Sequence, residues 1–420
     1  MILRNSSPSF VINRDRLIRT LEHLGSIGEI PNGGVCRLAY SPEDIAAREL
    51  VQKWMREAGM TVQIDSAGNI IGRYEGQNPQ APALATGSHL DTVPTGGRYD
   101  GALGILAGLE MVRVLGENQV LLNHPLEVIV FTDEEGTMIG SKAMSGSLVN
   151  DSGYYRRPDG TEIQSCLRQV GGDWDRIYQA KRSPQALRAF VELHVEQGPI
   201  LESMAQSVGV VEGIVGQRRY QIIIEGQANH AGTTPMYMRV DALVTAAKIV
   251  LAVQEIGNSP GQQVATVGQL NVFPNGVNVI PGRVELSLDI RDLSNRHLDA
   301  LMEQLRFQLE EIAIATQCKI YLNPGLYNEP ALAEPHIQQI IAQVCEDLQL
   351  PYTHLPSRAG HDAQELARIT DMGMIFVPSA AGVSHAVTEY TTPEDCVNGA
   401  QVLLETFFRL DQYFDPPQVS

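Results

Sequence analysis

The sequence predicts an α/β protein: a mixed sheet with helices on both faces, interrupted by an inserted ferredoxin-like α+β domain. Three features carry that expectation. Apolar strand-like runs alternate with helical segments in the first third, the order becomes βαββαβ in the middle, and the alternation resumes towards the C-terminus. Strands alternating with helices indicate a sheet covered on both sides. The middle order matches a split ferredoxin-like unit.

Ser41-Pro42-Glu43-Asp44 opens the first clear helix, with a capping hydroxyl, a proline in the first turn and acids at the positive dipole end. That helix passes Leu50, Trp54 and Met55 and stops at Gly59. Strands follow at Thr61–Ile64, Ile70–Tyr74, Ala83–Thr86 and Leu126–Phe131, with a small-residue helix from Ala102 to Leu115 between the last two. In the middle, Arg219–Glu225 reads as a strand and Asp241–Ile256 as a helix, followed by strands at Val264–Val272 and Arg283–Arg291. Leu298, Leu301, Leu305, Leu309 and Ile312 line one face of a further helix. A short strand near Lys319–Leu322 completes this domain. A helix at Pro335–Leu348, a strand at Met374–Val377 and a helix at Pro393–Leu410 return to the first pattern. The expected domains are 1–211 with 327–420, and 212–326. The polar stretch Asp151–Ser183 is either a helical excursion near the pocket mouth or plain surface.

A chain of 420 residues allows two or three domains, and 43% hydrophobic residues suffice for a large core. The net charge of -18 argues against nucleic acid or an anionic membrane surface as the main partner. Five dispersed cysteines without a CxxC pair suit reduced thiols. No signal-like N-terminus and no run of about 18 apolar residues is apparent, so a cytoplasmic protein is expected.

The most informative stretch is Thr132-Asp133-Glu134-Glu135-Gly136 at the exit of an apolar strand. Adjacent carboxylates repel, and a nearby cation removes that cost; two solvated loop acids are the plain alternative. Gly87-Ser88-His89-Leu90-Asp91-Thr92 offers a histidine and an aspartate two apart, a spacing suited to a ligand and its orienter. Asp100, in Gly96-Gly97-Arg98-Tyr99-Asp100-Gly101, reads either as a helix N-cap or as a carboxylate shared by two cations. His194 precedes Glu196-Gln197-Gly198-Pro199, and His385 lies in Ser384–Glu389. Singly each motif is weak. Jointly they place three histidines and several carboxylates at strand ends of one sheet, where ligands bind in such folds. That N/O mixture suits zinc, manganese or cobalt, and five ligands suit two ions with a shared carboxylate.

Together with Asn229–Met236, Asn278–Pro281 and Gly360–Ala363, these motifs resemble the amidases of the M20 metallopeptidase superfamily, in particular its hydantoinase/carbamoylase branch. The resemblance spans almost the whole chain. It implies a di-metal catalytic domain and an inserted lid that also forms a homodimer. It implies two divalent metals (Zn, Mn or Co): His89, Asp100, Glu135, His194 and His385 as ligands, with Asp100 bridging, and His89 and Glu135 on different ions. Glu134 would be the general base, Asp91 the partner of His89, and His230 the oxyanion donor. Gln197, Gln217, Arg219, Asn278, Arg291 and Gly360 would bind substrate, Arg291 clamping its carboxylate. His194 favours this branch, because peptidase-like members usually carry a carboxylate there. The implied reaction is hydrolysis of the carbamoyl C–N bond of an N-carbamoyl-L-amino acid or similar ureido acid. Allantoate amidohydrolysis is the alternative; a dipeptidase, an aminoacylase and a non-catalytic carboxylate-binding protein are remoter ones. One departure bears on specificity: Thr137-Met138-Ile139 stands where many members read Ser-Arg-Phe.

Overall fold

The computed structural model describes residues 10–415 apart from Pro158. The chain divides into two compact units, one formed by the segments up to Gly213 and from Leu332 onward, the other by Ile214–Ala331. In the first, four parallel strands lie side by side in the order Leu126–Phe131, Ala83–His89, Leu187–Val195 and Asp371–Val377. Antiparallel strands Ile70–Tyr74 and Val208–Ile214 flank them, and Thr61–Ile64 extends the first edge. Every residue of Ala83–His89 and Leu126–Phe131 is buried, as continuous apolar runs in a doubly covered sheet require.

The helix Ala102–Glu117 packs on these strands and is buried nearly all round, from Leu103 and Leu106 to Leu109 and Val112. Each such leucine contributes about 1.5–3 kcal/mol through burial, so this helix is held by the core rather than by its own propensity. Pro393–Phe414 and Arg14–Gly25 lie against it. The stretch from Asp151 to Ser183 carries short 3-10 turns at Ser152–Tyr155 and Trp174–Ala180 and a helix at Ile163–Gln169, which bury Tyr155, Ile163, Leu167 and Ile177 while many of its other residues are exposed.

In the second unit the sheet order is Leu270–Phe273, Arg283–Asp292, Gly216–Glu225, Lys319–Asn328, with Val264–Thr266 also paired to Arg283–Asp292. Helices Ala242–Gly257 and Asn295–Thr316 supply Ile249, Val253, Leu301 and Leu305 to a core shared with Val284, Leu286, Leu288 and Ile290. Several elements differ from expectation, among them the strands expected over Arg219–Glu225 and Met374–Val377, which begin at Gly216 and Asp371. The strand predicted over Val264–Val272 is two strands, because Val267–Gln269 oppose only Ser287 and Leu288 and the ladder bulges there. The last strand continues to Asn328, paired with Gln217, so the inserted unit runs past Tyr327. The strand predicted over Ala83–Thr86 continues to His89, making that histidine its final residue.

Candidate metal centre

The predicted ligands meet at the C-terminal ends of the four parallel strands. His89 ends one strand, His194 is the penultimate residue of Leu187–Val195, and Glu134 and Glu135 sit in the turn after Leu126–Phe131. His385 lies in the loop beyond Asp371–Val377, in the left-handed region at φ 55°. Asp100 precedes the helix Ala102–Glu117. It is not the N-cap: Gly101 holds that place and no side chain caps the helix. The Asp100 carboxylate turns instead to the histidines.

Asp100 Oδ1 lies 3.4 Å from His89 Nε2 and 3.1 Å from His194 Nε2. Its Oδ2 lies 3.2 Å from His385 Nε2, which is 3.3 Å from Glu135 Oε1. Three groups able to hold a cation occur among the described residues: His89/Asp100/His194 and Asp100/Glu135/His385, which share Asp100, and Glu192/His194/His361. Glu134 belongs to none of them, and its Oε2 stands 3.7 Å from His89 Nε2. His89 and Asp100 are buried while the His385 side chain is 47% exposed, so the centre opens on the His385 side.

The donor chemistry fits cations. His89 Nδ1 contacts the Asp91 carbonyl and His194 Nδ1 the Val195 carbonyl, each at 2.8 Å. Both carbonyls accept from Nδ1–H, leaving the Nε2 lone pairs aimed at carboxylate oxygen. Lone pairs facing one another at such distances need a proton or a metal between them. The charge pattern agrees. Burial opposes the Asp100 carboxylate, yet the neighbouring His194, His385 and His89 side chains hold it well below the usual range. Bonds to Asp100 and Glu135 push His385 up to about 10. Burial pushes Glu134 well above its ordinary value, opposed by His89 and reinforced by Asp362, Glu135 and Asp91.

Asp91 differs from expectation. Its backbone carbonyl, not its carboxylate, is the close partner of His89; Oδ1 is 3.9 Å from Nδ1. The carboxylate accepts the backbone N–H of Glu134 at 3.4 Å and of Glu135 at 3.1 Å. The turn after the strand leaves those N–H groups without ladder partners, and a buried acceptor meets that need.

Gln197, expected on substrate, donates its amide to Asp100 Oδ2 at 2.8 Å. Gly360 adjoins His361 in the turn before Asp362–Leu366. Glu192, His361 and Glu389 were not singled out from the sequence. Glu192 accepts from Ser88 Oγ at 2.8 Å and from the Ala363 N–H at 3.0 Å; an acid inside the run Val191-Glu192-Leu193 was its signal. The His361 ring lies 4.5 Å from that of His194, centroid to centroid. Glu389 accepts the Tyr99 and Asp100 N–H groups at 3.0 and 3.1 Å and so shapes the Asp100 loop.

Within the second unit, Gln217, Arg219 and Arg291 all bond to Asp289. His230 Nδ1 accepts from the N–H groups of Gly232 and Thr233, which puts the ring proton on Nε2. Asn278 gives its carbonyl to the Ala231 N–H.

Gly101 admits no side chain. It lies at φ 65°, and a Cβ there would stand 2.6 Å from the His89 ring. We expect Gly101→Ala to cost roughly 1–3 kcal/mol from backbone strain and to lower metal content. Thermal melts and elemental analysis check this; unchanged metal content would show that the ring yields freely.

Comparison with known proteins places this geometry. The profile of Peptidase family M20/M25/M40 matches residues 85–409. An N-carbamoyl-L-amino acid amidohydrolase of Geobacillus stearothermophilus is 44% identical over 96% of this chain and 100% of its own length. A ureidoglycolate hydrolase of Arabidopsis thaliana is 33% identical over 97% of this chain and 88% of its own. The crystal structure of a hydantoinase/carbamoylase family amidase from Burkholderia multivorans superposes with a TM-score of 0.90 at 38% identity, covering 96% of this chain and 99% of that one. With a profile match over most of its length and relatives of this similarity, the chain belongs to peptidase family M20/M25/M40, among its hydantoinase/carbamoylase amidases.

Proposed function

We propose that the protein hydrolyses the carbamoyl C–N bond of an N-carbamoyl-L-amino acid or a similar ureido acid. The observation that carries this reading is a single carboxylate, Asp100, shared by two ligand groups, with the unliganded Glu134 beside them. The name of the Geobacillus relative supports the substrate class. His89, Asp100 and His194 would hold one divalent ion, and Asp100, Glu135 and His385 a second, with zinc, manganese or cobalt suiting these N and O donors. When bound, such ions supply Lewis acidity to a carbonyl and make a water more acidic.

The chain's own residues do the rest. Glu134 takes a proton from the attacking water as oxygen bonds to the carbonyl carbon, then gives it to the nitrogen that leaves as that C–N bond breaks, a service worth roughly 10²–10⁴-fold. The released carbamate decomposes to ammonia and CO₂, leaving the amino acid. Asp91 holds the backbone of the acid pair in place. In the second unit, Arg291 with Gln217, Arg219 and Asn278 would bind the substrate carboxylate, the guanidinium in bidentate fashion. His230, its proton on Nε2, would donate to the developing oxyanion. Gln197 and Gly360 would line the substrate's path. We further propose a homodimer formed through the second unit. A cytoplasmic location is supported by the five free cysteines. No helix among the described residues is long and apolar enough to cross a membrane.

Allantoate or another ureide is the second reading, favoured by the ureidoglycolate hydrolase relative. A panel of N-carbamoyl-L-amino acids, allantoate, ureidoglycolate, N-acetyl amino acids and dipeptides, assayed after chelation and reloading with Zn²⁺, Mn²⁺ or Co²⁺, decides. Chelation should abolish turnover, reloading should restore it, and N-carbamoyl-L-amino acids should give the highest kcat/KM. Turnover of dipeptides alone would overturn the assignment.

A further inference from the structure

The acid pair sits in a loop closed at its neck by a side chain far from it in sequence. Thr132 and Gly140 bracket Asp133–Ile139, and the Gly140 N–H donates to the Thr132 carbonyl at 3.0 Å. The remaining two backbone groups at that neck are taken by Asn69. Its Oδ1 accepts the Thr132 N–H at 3.1 Å, and its Nδ2 donates to the Gly140 carbonyl at 3.1 Å. The second Nδ2 proton goes to Asp65 Oδ2 at 2.8 Å. Asn69 is fully buried. Both amide protons and the carbonyl oxygen are used, and only one orientation of the amide satisfies all three partners. Asp65 Oδ1 meanwhile accepts the N–H groups of Ala67 and Asn69, which fixes the carboxylate. The neck has no room to adapt: a Cβ on Gly140 would collide with Asn69 Oδ1 and the Thr132 nitrogen.

We propose that Asn69, oriented by Asp65, is a positioning residue for Glu134 and Glu135. By clamping both ends of their loop it sets where Glu135 meets Asp100 and His385 and where Glu134 stands beside His89. The proposal rests on the reading of Glu135 as a metal ligand and Glu134 as the base. A satisfied buried polar network of this kind holds one geometry, whereas a partly satisfied one does not. Asp65 reaches the loop only through the Asn69 amide, since Oδ2 has no other hydrogen-bond partner among the described residues.

The test is a double-mutant cycle on the full chain with Asn69→Ala and Asp65→Asn. Asp65→Asn keeps the acceptor for Ala67 and Asn69 but sets an amide donor against the Asn69 donor. Metal-free protein is titrated with Mn²⁺ alone, by calorimetry and by electron paramagnetic resonance, and kcat, KM and the metal-free melting temperature are recorded. Asn69→Ala should weaken one of the two Mn²⁺ sites by roughly 10–100-fold and lower kcat by a similar factor, with KM changed less than about threefold. Asp65→Asn should act in the same direction and add nothing in the Asn69→Ala background, as expected of residues coupled in one network. A merely structural role would lower the melting temperature and leave the Mn²⁺ sites alone. Unchanged Mn²⁺ affinity in either folded single variant, or additive effects in the double, overturns the proposal. The Mn²⁺ arm decides it even if the parent chain proves inactive on carbamoyl substrates, which would instead unseat the reading of the reaction.

Discussion

Replacing Glu134 by glutamine is expected to lower kcat by roughly 10²–10⁴-fold while the metal content stays that of the parent and KM changes little. The substitution keeps size and shape but removes the group that can accept and return a proton. Three observations isolate this effect from collateral damage. Glu134 belongs to neither ligand group. Its backbone N–H is held by Asp91 Oδ1, a bond that glutamine retains. Its side chain is only 10% exposed and feels Asp362, Glu135 and Asp91, so that loss of solvent already raises its affinity for a proton. A neutral amide relieves that repulsion, so the variant should fold at least as well as the parent. Steady-state kinetics and elemental analysis on the same preparation check the prediction. Near-full turnover with two metals would remove Glu134 from the role, and a parent chain that binds ligand without turnover would favour a non-catalytic binding protein.

The parts of this site legible in the sequence are those whose chemistry is local. Adjacent glutamates after an apolar strand, a histidine two residues before an aspartate, and a histidine before a Gly-Pro turn are each weak alone but together point to functional groups at the strand ends of one sheet. Alternating Val284, Leu286, Leu288 and Ile290 placed Arg291 on the polar face of its strand, where it meets Asp289. The parts that were not legible are set by partners distant in sequence. Nothing local shows that the Asp91 carboxylate would find the N–H groups of Glu134 and Glu135, 43 and 44 residues on, while its carbonyl takes the imidazole. The same holds for Asn69, which looks like an ordinary turn residue until the loop it clamps is seen. The end of Ala83–His89 was underestimated because Gly87 and Ser88 dilute the apolar signal, although both are paired in parallel with Ile129 and Val130. At Thr137-Met138-Ile139, Thr137 Oγ1 donates to Asp133 Oδ2 at 2.6 Å, and Met138, in the left-handed region, leads directly into the helix Ile139–Ser145.

Asp100→Asn is expected to be the most damaging single substitution in the centre. One carboxylate there meets three imidazoles, the Gln197 amide and the Ser384 hydroxyl, so its two oxygens serve both ligand groups at once. An amide of the same shape offers one oxygen and turns two protons towards the ring nitrogens and side-chain donors around it. It cannot share a negative charge between two cations. Divalent ions contribute several kcal/mol of charge stabilisation to such reactions, and several kcal/mol corresponds to a rate loss on the order of 10³-fold or more. On the proposed two-ion reading, metal content should fall to at most one ion per chain, with loss of turnover of that size. The metal-free variant also tests what holds the centre together before metal enters. In the parent, three histidines hold the Asp100 carboxyl well below the usual range against the effect of burial; removing one partner of a buried charge cluster costs about 3–5 kcal/mol, so the apo melting temperature should drop as well. Two retained metals with turnover within tenfold of the parent would mean that Asp100 does not bridge the groups, and the pairing of His89 with His194 on one side and Glu135 with His385 on the other would have to be sought through another atom.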